Sequence, residues 1–142
     1  YTGQVPQADL PGTFATWTSA PLTTPVNVAG LPVVNVQVQA PSAQVSQATG
    51  PAGQLVLFVK IEDVAPDGTA ALIHGLEAPI RVPDVSKPIK VTLPGIVHRF
   101  AAGHTVRLVI AGGSDNFRAG LVSTPVTIAS GAGQTLTLPV VP

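Results

Sequence analysis

The chain has 142 residues, 45% hydrophobic and 10% charged, with seven Lys and Arg against seven Asp and Glu. That is enough for one domain with its own core, too apolar for a disordered chain, and without the Lys/Arg cluster a nucleic-acid partner needs. With no Cys, disulfides and thiolate zinc sites are excluded as well.

The expected elements are strands nearly throughout. The first 20 residues are rich in Pro and Thr and are expected to pack along a domain edge or against a neighbour, as an edge or linker segment. Val34, Val36 and Val38 alternate with Asn35, Gln37 and Gln39, the pattern of a half-buried strand. The stretch 40–54, APSAQVSQATGPAGQ, is polar and rich in small residues and reads as a long connection crossing between two sheets. Leu55 to Ile61 is apolar on both faces at its start, as expected of a central strand between layers. Further alternation marks strands at Ile89 to Leu93, Val106 to Ile110 and Leu136 to Leu138, with shorter ones expected near 78–82, 96–100 and 122–128. Most of the 15 Pro and 14 Gly fall between these runs, where residues that weaken sheet ladders belong. No long window carries a helical apolar period free of Gly and Pro. About eight strands with turns every 8–15 residues predict an all-β, two-sheet sandwich spanning 1–142 as a single domain.

No apolar run approaches the roughly 18 residues that span a bilayer, so no membrane span is expected. No basic segment followed by an apolar one opens the sequence, so no signal peptide is expected in it. Absence of Cys suits export and cytoplasm alike, and the localisation is left open. A start at Tyr1 and the lack of any Met lead us to expect a piece processed or excised from a larger protein.

Candidate chemistry is sparse. A serine hydrolase needs a nucleophile elbow, G-x-S-x-G, with a His and an acid, and no such motif occurs. The nearest sequence, Gly112-Gly113-Ser114-Asp115-Asn116, reads as a loop between strands, so no catalytic residue and no turnover by this chain alone are expected. His74, His98 and His104 sit beside separate turns without ligand spacing. His98 and His104 are expected to hydrogen-bond backbone carbonyls in the loops flanking 99–103. Glu62, Asp63 and Asp67 lack the alternating oxygens of a calcium loop. Asp67-Gly68 is expected to make a tight turn with Gly68 at positive φ, and Asp63 to cap a neighbouring loop. No metal and no cofactor are expected. Trp17 is the sole residue suited to a sugar-stacking platform, and in a Pro/Thr-rich segment it reads more readily as an edge plug or interdomain anchor.

Two segments carry a family pattern. Asp63-Val64-Ala65-Pro66-Asp67-Gly68 follows a strong strand, and His98-Arg99-Phe100-Ala101-Ala102-Gly103-His104 precedes Arg107-Leu108. With Thr18 to Leu22 and Val26 to Gly30, they resemble the C-terminal β-domain of the X-prolyl dipeptidyl aminopeptidase and cocaine-esterase (CocE/NonD) family of serine hydrolases, over about 20–112. The resemblance implies a jelly-roll, galactose-binding-like fold without a nucleophile. It also implies a partner in the α/β-hydrolase catalytic domain of the same parent chain, with the isolated domain a monomer. Where the family has an N-F-P loop against that domain, this chain reads Ser114-Asp115-Asn116-Phe117-Arg118. Asn116 and Phe117 are its remnant and, with Trp17, the expected interdomain contacts. The alternative is a free-standing carbohydrate- or polymer-binding module, which would need Trp17 to line an exposed groove.

Overall fold

The computed structural model describes residue 9 and residues 11–114 and 124–142. The first layer is a four-stranded antiparallel sheet of β1 (Phe14–Thr18), β5 (Leu55–Val64), β6 (Ala70–Val82) and β9 (Thr105–Ala111) in the order β1-β9-β5-β6. The second layer is interrupted. β2 (Val26–Gly30), β3 (Val33–Val36) and β4 (Val38–Gln39) follow one another as a single broken ribbon. On one side of it lie β8 (Ile96–Phe100) and β7 (Ile89–Thr92), pairing Val26 with Phe100 and Val36 with Ile89. On the other side lie β12 (Val140–Val141), β11 (Thr135–Thr137) and β10 (Thr127–Ile128). Three small antiparallel ladders, β12-β2-β8, β11-β3-β7 and β10-β4, thus follow one another along this ribbon, and the register shifts at each break. β3 and β4 part at Gln37, whereas the breaks between β2 and β3, β7 and β8, and β11 and β12 contain Pro32, Pro94 and Pro139, which have no N–H to give a ladder. Their carbonyls are still used: Leu93 N donates to Pro32 O at 2.8 Å and Ala29 N to Pro139 O at 3.0 Å.

The period-2 pattern buries one side chain set between the layers. Val28, Val34, Val36, Val91 and Phe100 of the broken sheet meet Leu57, Val59, Ile61, Leu108 and Ile110 of the four-stranded one. Phe100 is wholly inaccessible to solvent, and burying a side chain of that size contributes about 1.5–3 kcal/mol. Strand β5 also buries part of its opposite face, since Phe58 is 0% and Lys60 3% exposed. This is the central strand that its apolar run predicts.

Three features differ from the sequence expectation. The 40–54 connection does cross from the broken sheet to the four-stranded one, but it is partly helical: α1 (Pro41–Ser46) with Pro at its start, then two single 3₁₀ turns. Its short polar side chains satisfy local carbonyls, as in Ser46 Oγ to Gly53 O at 2.7 Å and Thr49 Oγ1 to Ser46 O at 2.7 Å. The strand expected at 78–82 is the end of β6, which starts at Ala70. His74 and Gly75 take positive φ of 52° and 63°, and the β5–β6 register shifts between Lys60 and Glu62. That bulge breaks the alternation and hides the first half of the strand. Finally, the edge segment expected in the first 20 residues contains a true strand, β1, hydrogen-bonded to β9. Of the strand expected at 122–128, Thr127–Ile128 is observed, and 122–123 lie outside the described residues. Among the described residues no helix is long and apolar enough to cross a membrane.

Candidate functional site: a locked end of the sandwich

The segments that carry the family pattern converge at one end of the sandwich. After β5, the turn at 65–69 closes with Gly68 N donating to Ala65 O and Ala65 N to Thr69 O, both at 2.9 Å. Asp67 Oδ1 accepts from Thr69 N at 2.9 Å, and this bond holds its carboxyl below the usual carboxylate range. Gly68 has φ of 87° and open space where a Cβ would stand, so only the backbone conformation calls for glycine. The expected Pro66-Asp67-Gly68 turn is therefore present.

The second turn follows Phe100. His104 N donates to Ala101 O at 3.2 Å, and Gly103 takes φ of 83°. The 18–22 segment is stitched to it: Gly103 N donates to Leu22 O and Leu22 N to His104 O, each at 2.8 Å. Ser19 continues the seam, its N donating to Val106 O at 2.9 Å and its Oγ accepting from Val106 N at 3.0 Å. The two turns touch, because a Cβ on Gly103 would lie 3.4 Å from Pro66 Cγ.

Between the turns sits Asp63, at the end of β5. Its Oδ2 is 2.8 Å from His98 Nε2 and its Oδ1 is 2.7 Å from His104 Nδ1. The His98 ring stands edge-on to Phe100 with centroids 4.7 Å apart, and to His74 at 6.2 Å. The expectation for the histidines is thereby corrected. His98 and His104 bind the Asp63 carboxylate, not backbone carbonyls, and Asp63 ties two imidazoles together instead of capping a loop. His74 alone meets a carbonyl, Val97 O, at 2.9 Å. The physical reason is that Asp63 is only 12% exposed at its side chain, and a carboxylate so placed needs N–H donors. Arg99 pairs across strands with Asn27 and stays exposed.

This arrangement joins the two sheets. Asp63 belongs to the four-stranded sheet and His98 to the broken one. Among the described residues, the histidine hydrogen bonds go to Asp63 and to Val97 O, and no group of His, Cys, Asp or Glu has the geometry to hold a metal. Ser114 Oγ donates to Glu77 Oε2 at 2.6 Å, a carboxylate where the serine of a Ser-His-Asp triad would meet an imidazole.

A second polar cluster lies on the outer face of the four-stranded sheet, and the sequence reading did not single it out. Lys60 Nζ meets Asp9 Oδ1 at 2.8 Å and Oδ2 at 3.0 Å. It also lies 3.3 Å from Glu77 Oε1, an ion-pair contact in which that buried oxygen accepts no hydrogen bond. Burial pulls the Lys60 ammonium down, but the hydrogen bond and charge of Asp9, then Glu77, outweigh it and raise the group above 10.5. The available signal was a lone Lys inside the apolar run 55–61, where a buried charge requires partners.

Trp17 faces inward from β1, opposite Leu108, and is half-buried against the core. Asn116 and Phe117, the other expected interdomain contacts, lie outside the described residues.

A two-layer all-β sandwich whose motif residues bind one another describes a structural domain. The chain belongs to the family described as the X-Pro dipeptidyl-peptidase C-terminal non-catalytic domain, which it matches over residues 6–137. Solved structures share the fold. An α-amino acid ester hydrolase superposes with a TM-score of 0.68 at 20% identity, over 92% of this chain and 26% of that one. A CocE/NonD family hydrolase from Staphylococcus aureus gives 0.69 at 11% identity, over 91% and 30%. An aminopeptidase from a marine sediment archaeon, Thaumarchaeota archaeon, gives 0.55 at 23% identity, over 72% and 18%. The chain thus spans less than a third of the length of each of these hydrolases. No curated protein sequence matches it.

Proposed function

We propose that this domain packs on the α/β-hydrolase domain of a parent serine hydrolase, of the X-Pro dipeptidyl-peptidase or esterase type, and shapes the approach to its active site. The observation that carries the reading is the locked end of the sandwich. Asp63 binds His98 across the two sheets at 2.8 Å and His104 of the adjoining turn at 2.7 Å, which gives the motif residues a structural task. A rigid end of this kind suits a domain that presents a fixed surface to a neighbour. Interfaces between domains of one chain typically bury about 600–1,500 Å², so such a domain can stay soluble and monomeric when separated. A sugar-binding module would need Trp17 as an open platform, and its half-buried position against the core argues against that role.

The test compares the parent hydrolase with and without residues 1–142. The reading expects the truncated enzyme to lose stability or to broaden its preference among X-prolyl amides and short esters. A truncated enzyme with unchanged melting temperature and unchanged kcat/KM ratios would refute it.

A further inference from the structure

The turn that closes the motif end is also the place where this chain is chemically weakest. An aspartate followed by glycine can cyclise: the glycine nitrogen attacks the side-chain Cγ, and the amide proton leaves with the carboxyl OH as water. The resulting five-membered succinimide is opened by water at either carbonyl. One opening restores aspartate; the other cleaves the bond from the nitrogen to the main-chain carbonyl and leaves isoaspartate, with the chain now running through Cγ. Water is the sole co-reactant. Of all the Asp and Asn residues in the sequence, Asp67 alone precedes Gly. Asp63, Asp84, Asn27 and Asn35 each precede Val, whose branched side chain crowds the nitrogen that would attack. Asp67 and Gly68 are both exposed, and among the described residues nothing lies within 4 Å of where a Gly68 Cβ would stand. Water therefore reaches the ring as it forms.

The folded turn holds the two reacting groups apart. Gly68 N donates its proton to Ala65 O at 2.9 Å, so the nitrogen that must lose that proton is engaged. Asp67 Oδ1 accepts from Thr69 N at 2.9 Å, which aims the carboxyl past Gly68 at the next residue. Cyclisation also needs the acid form, because a carboxylate is a poor electrophile. The Thr69 bond holds the Asp67 carboxyl below the usual carboxylate range, so that form is scarce near neutrality. Both hydrogen bonds must break before Gly68 N can meet Cγ.

We infer that Asp67-Gly68 is the site at which this chain isomerises, and that the closed turn guards it: isoaspartate forms from the opened turn and not from the closed one. The product damages the guard itself. Isoaspartate adds a backbone carbon inside the loop that the Gly68–Ala65 and Ala65–Thr69 bonds close. The lengthened turn cannot keep both bonds, nor hold Pro66 against Gly103 beside the Asp63 lock.

The experiment incubates the 142-residue chain for several weeks at neutral pH, folded in buffer and unfolded in guanidinium chloride, and follows the tryptic peptide 61–81, cut after Lys60 and Arg81. Isomerisation leaves the mass unchanged, so the isomers are separated by reversed-phase chromatography and assigned by electron-transfer fragmentation. The expected result is isoaspartate at position 67 in the unfolded chain, and accumulation at least about tenfold slower in the folded one, since opening gives up two hydrogen bonds. Equal rates in the two states would overturn the guard. No isoaspartate at 67 in the unfolded chain, or faster isomerisation at another position, would overturn the site. The isoaspartyl chain, isolated and returned to buffer, should melt below the unmodified chain. An unchanged melting temperature would show that the turn accommodates the extra carbon and would overturn the damage to the lock.

Discussion

Replacing Asp63 by alanine removes the acceptor of two imidazole N–H groups at once. A hydrogen bond to a charged group contributes about 1.5–3 kcal/mol when well buried. Here His98 is 25% and His104 27% exposed at the side chain, and Asp63 12%, so water screens part of each bond and can reach the freed donors. About half of the combined value, roughly 1.5–3 kcal/mol, is the expected loss for the pair. For a chain of this length that is a drop in melting temperature of about 6–10 °C. Urea unfolding followed by the fluorescence of Trp17, the single tryptophan, measures it directly. The midpoint should fall by about 1 M with the slope unchanged, since m is about 1–3 kcal/mol/M and the exposed area is unaltered. Asp63→Asn, which keeps one acceptor, should lose about half as much. Its neighbour Glu62 meets Arg107 at 3.4 Å in a partly exposed pair, and Glu62→Ala should stay within about 0.5 kcal/mol. If Asp63→Ala also stays within that range, the imidazoles do not depend on the carboxylate and the lock is wrong.

Gly68→Val should destabilise by about 1–2 kcal/mol through backbone strain alone, because nothing stands near the new side chain; an unchanged melting temperature would remove the turn. Phe100→Ala should cost about 3–5 kcal/mol in the same urea assay, as expected for a fully buried aromatic. Lys60→Met leaves two carboxylates without their cation and should cost about 3 kcal/mol or more. The pKa of Lys60 is raised in the folded chain, so its contribution is complete below 10.5 and is lost as pH rises through the higher folded value. Unfolding curves of the wild type and Lys60→Met should therefore converge in strong alkali, and a constant gap would contradict the ion pairs. Asp84 is held at about 2 by its bonds to Ser86 and by Lys87, so any stability from it is present above 3.8 and lost as pH falls toward 2; a carboxyl NMR titration near 4 would refute that contact.

Local patterning reached far into this fold. β3, β7 and β9 follow directly from period-2 alternation, β5 from a run apolar on both faces, and the Asp67-Gly68 turn from the backbone that only glycine adopts without strain. The tie of Asp63 to His98 and His104 was not legible, because the partners lie 35 and 41 residues away and no local period encodes the choice. The first half of β6 was hidden by its bulge, and the succession of β2 and β3 by Pro32, which interrupts their ladder. Lys60 was invisible for a related reason: its partners Asp9 and Glu77 come from distant segments that only the folded sheet brings together.

The account's central claim is that this domain is a non-catalytic structural partner, and mixing the 142-residue chain with its separately produced hydrolase domain tests that most directly. Sedimentation and turnover of an X-prolyl anilide are read on each part and on the mixture. The account predicts no turnover by the 142-residue chain, a one-to-one complex in the mixture, and stability or activity of the hydrolase domain raised on complex formation. Turnover by the 142-residue chain that disappears in Ser114→Ala, or two components that sediment independently and leave each other unchanged, would contradict it.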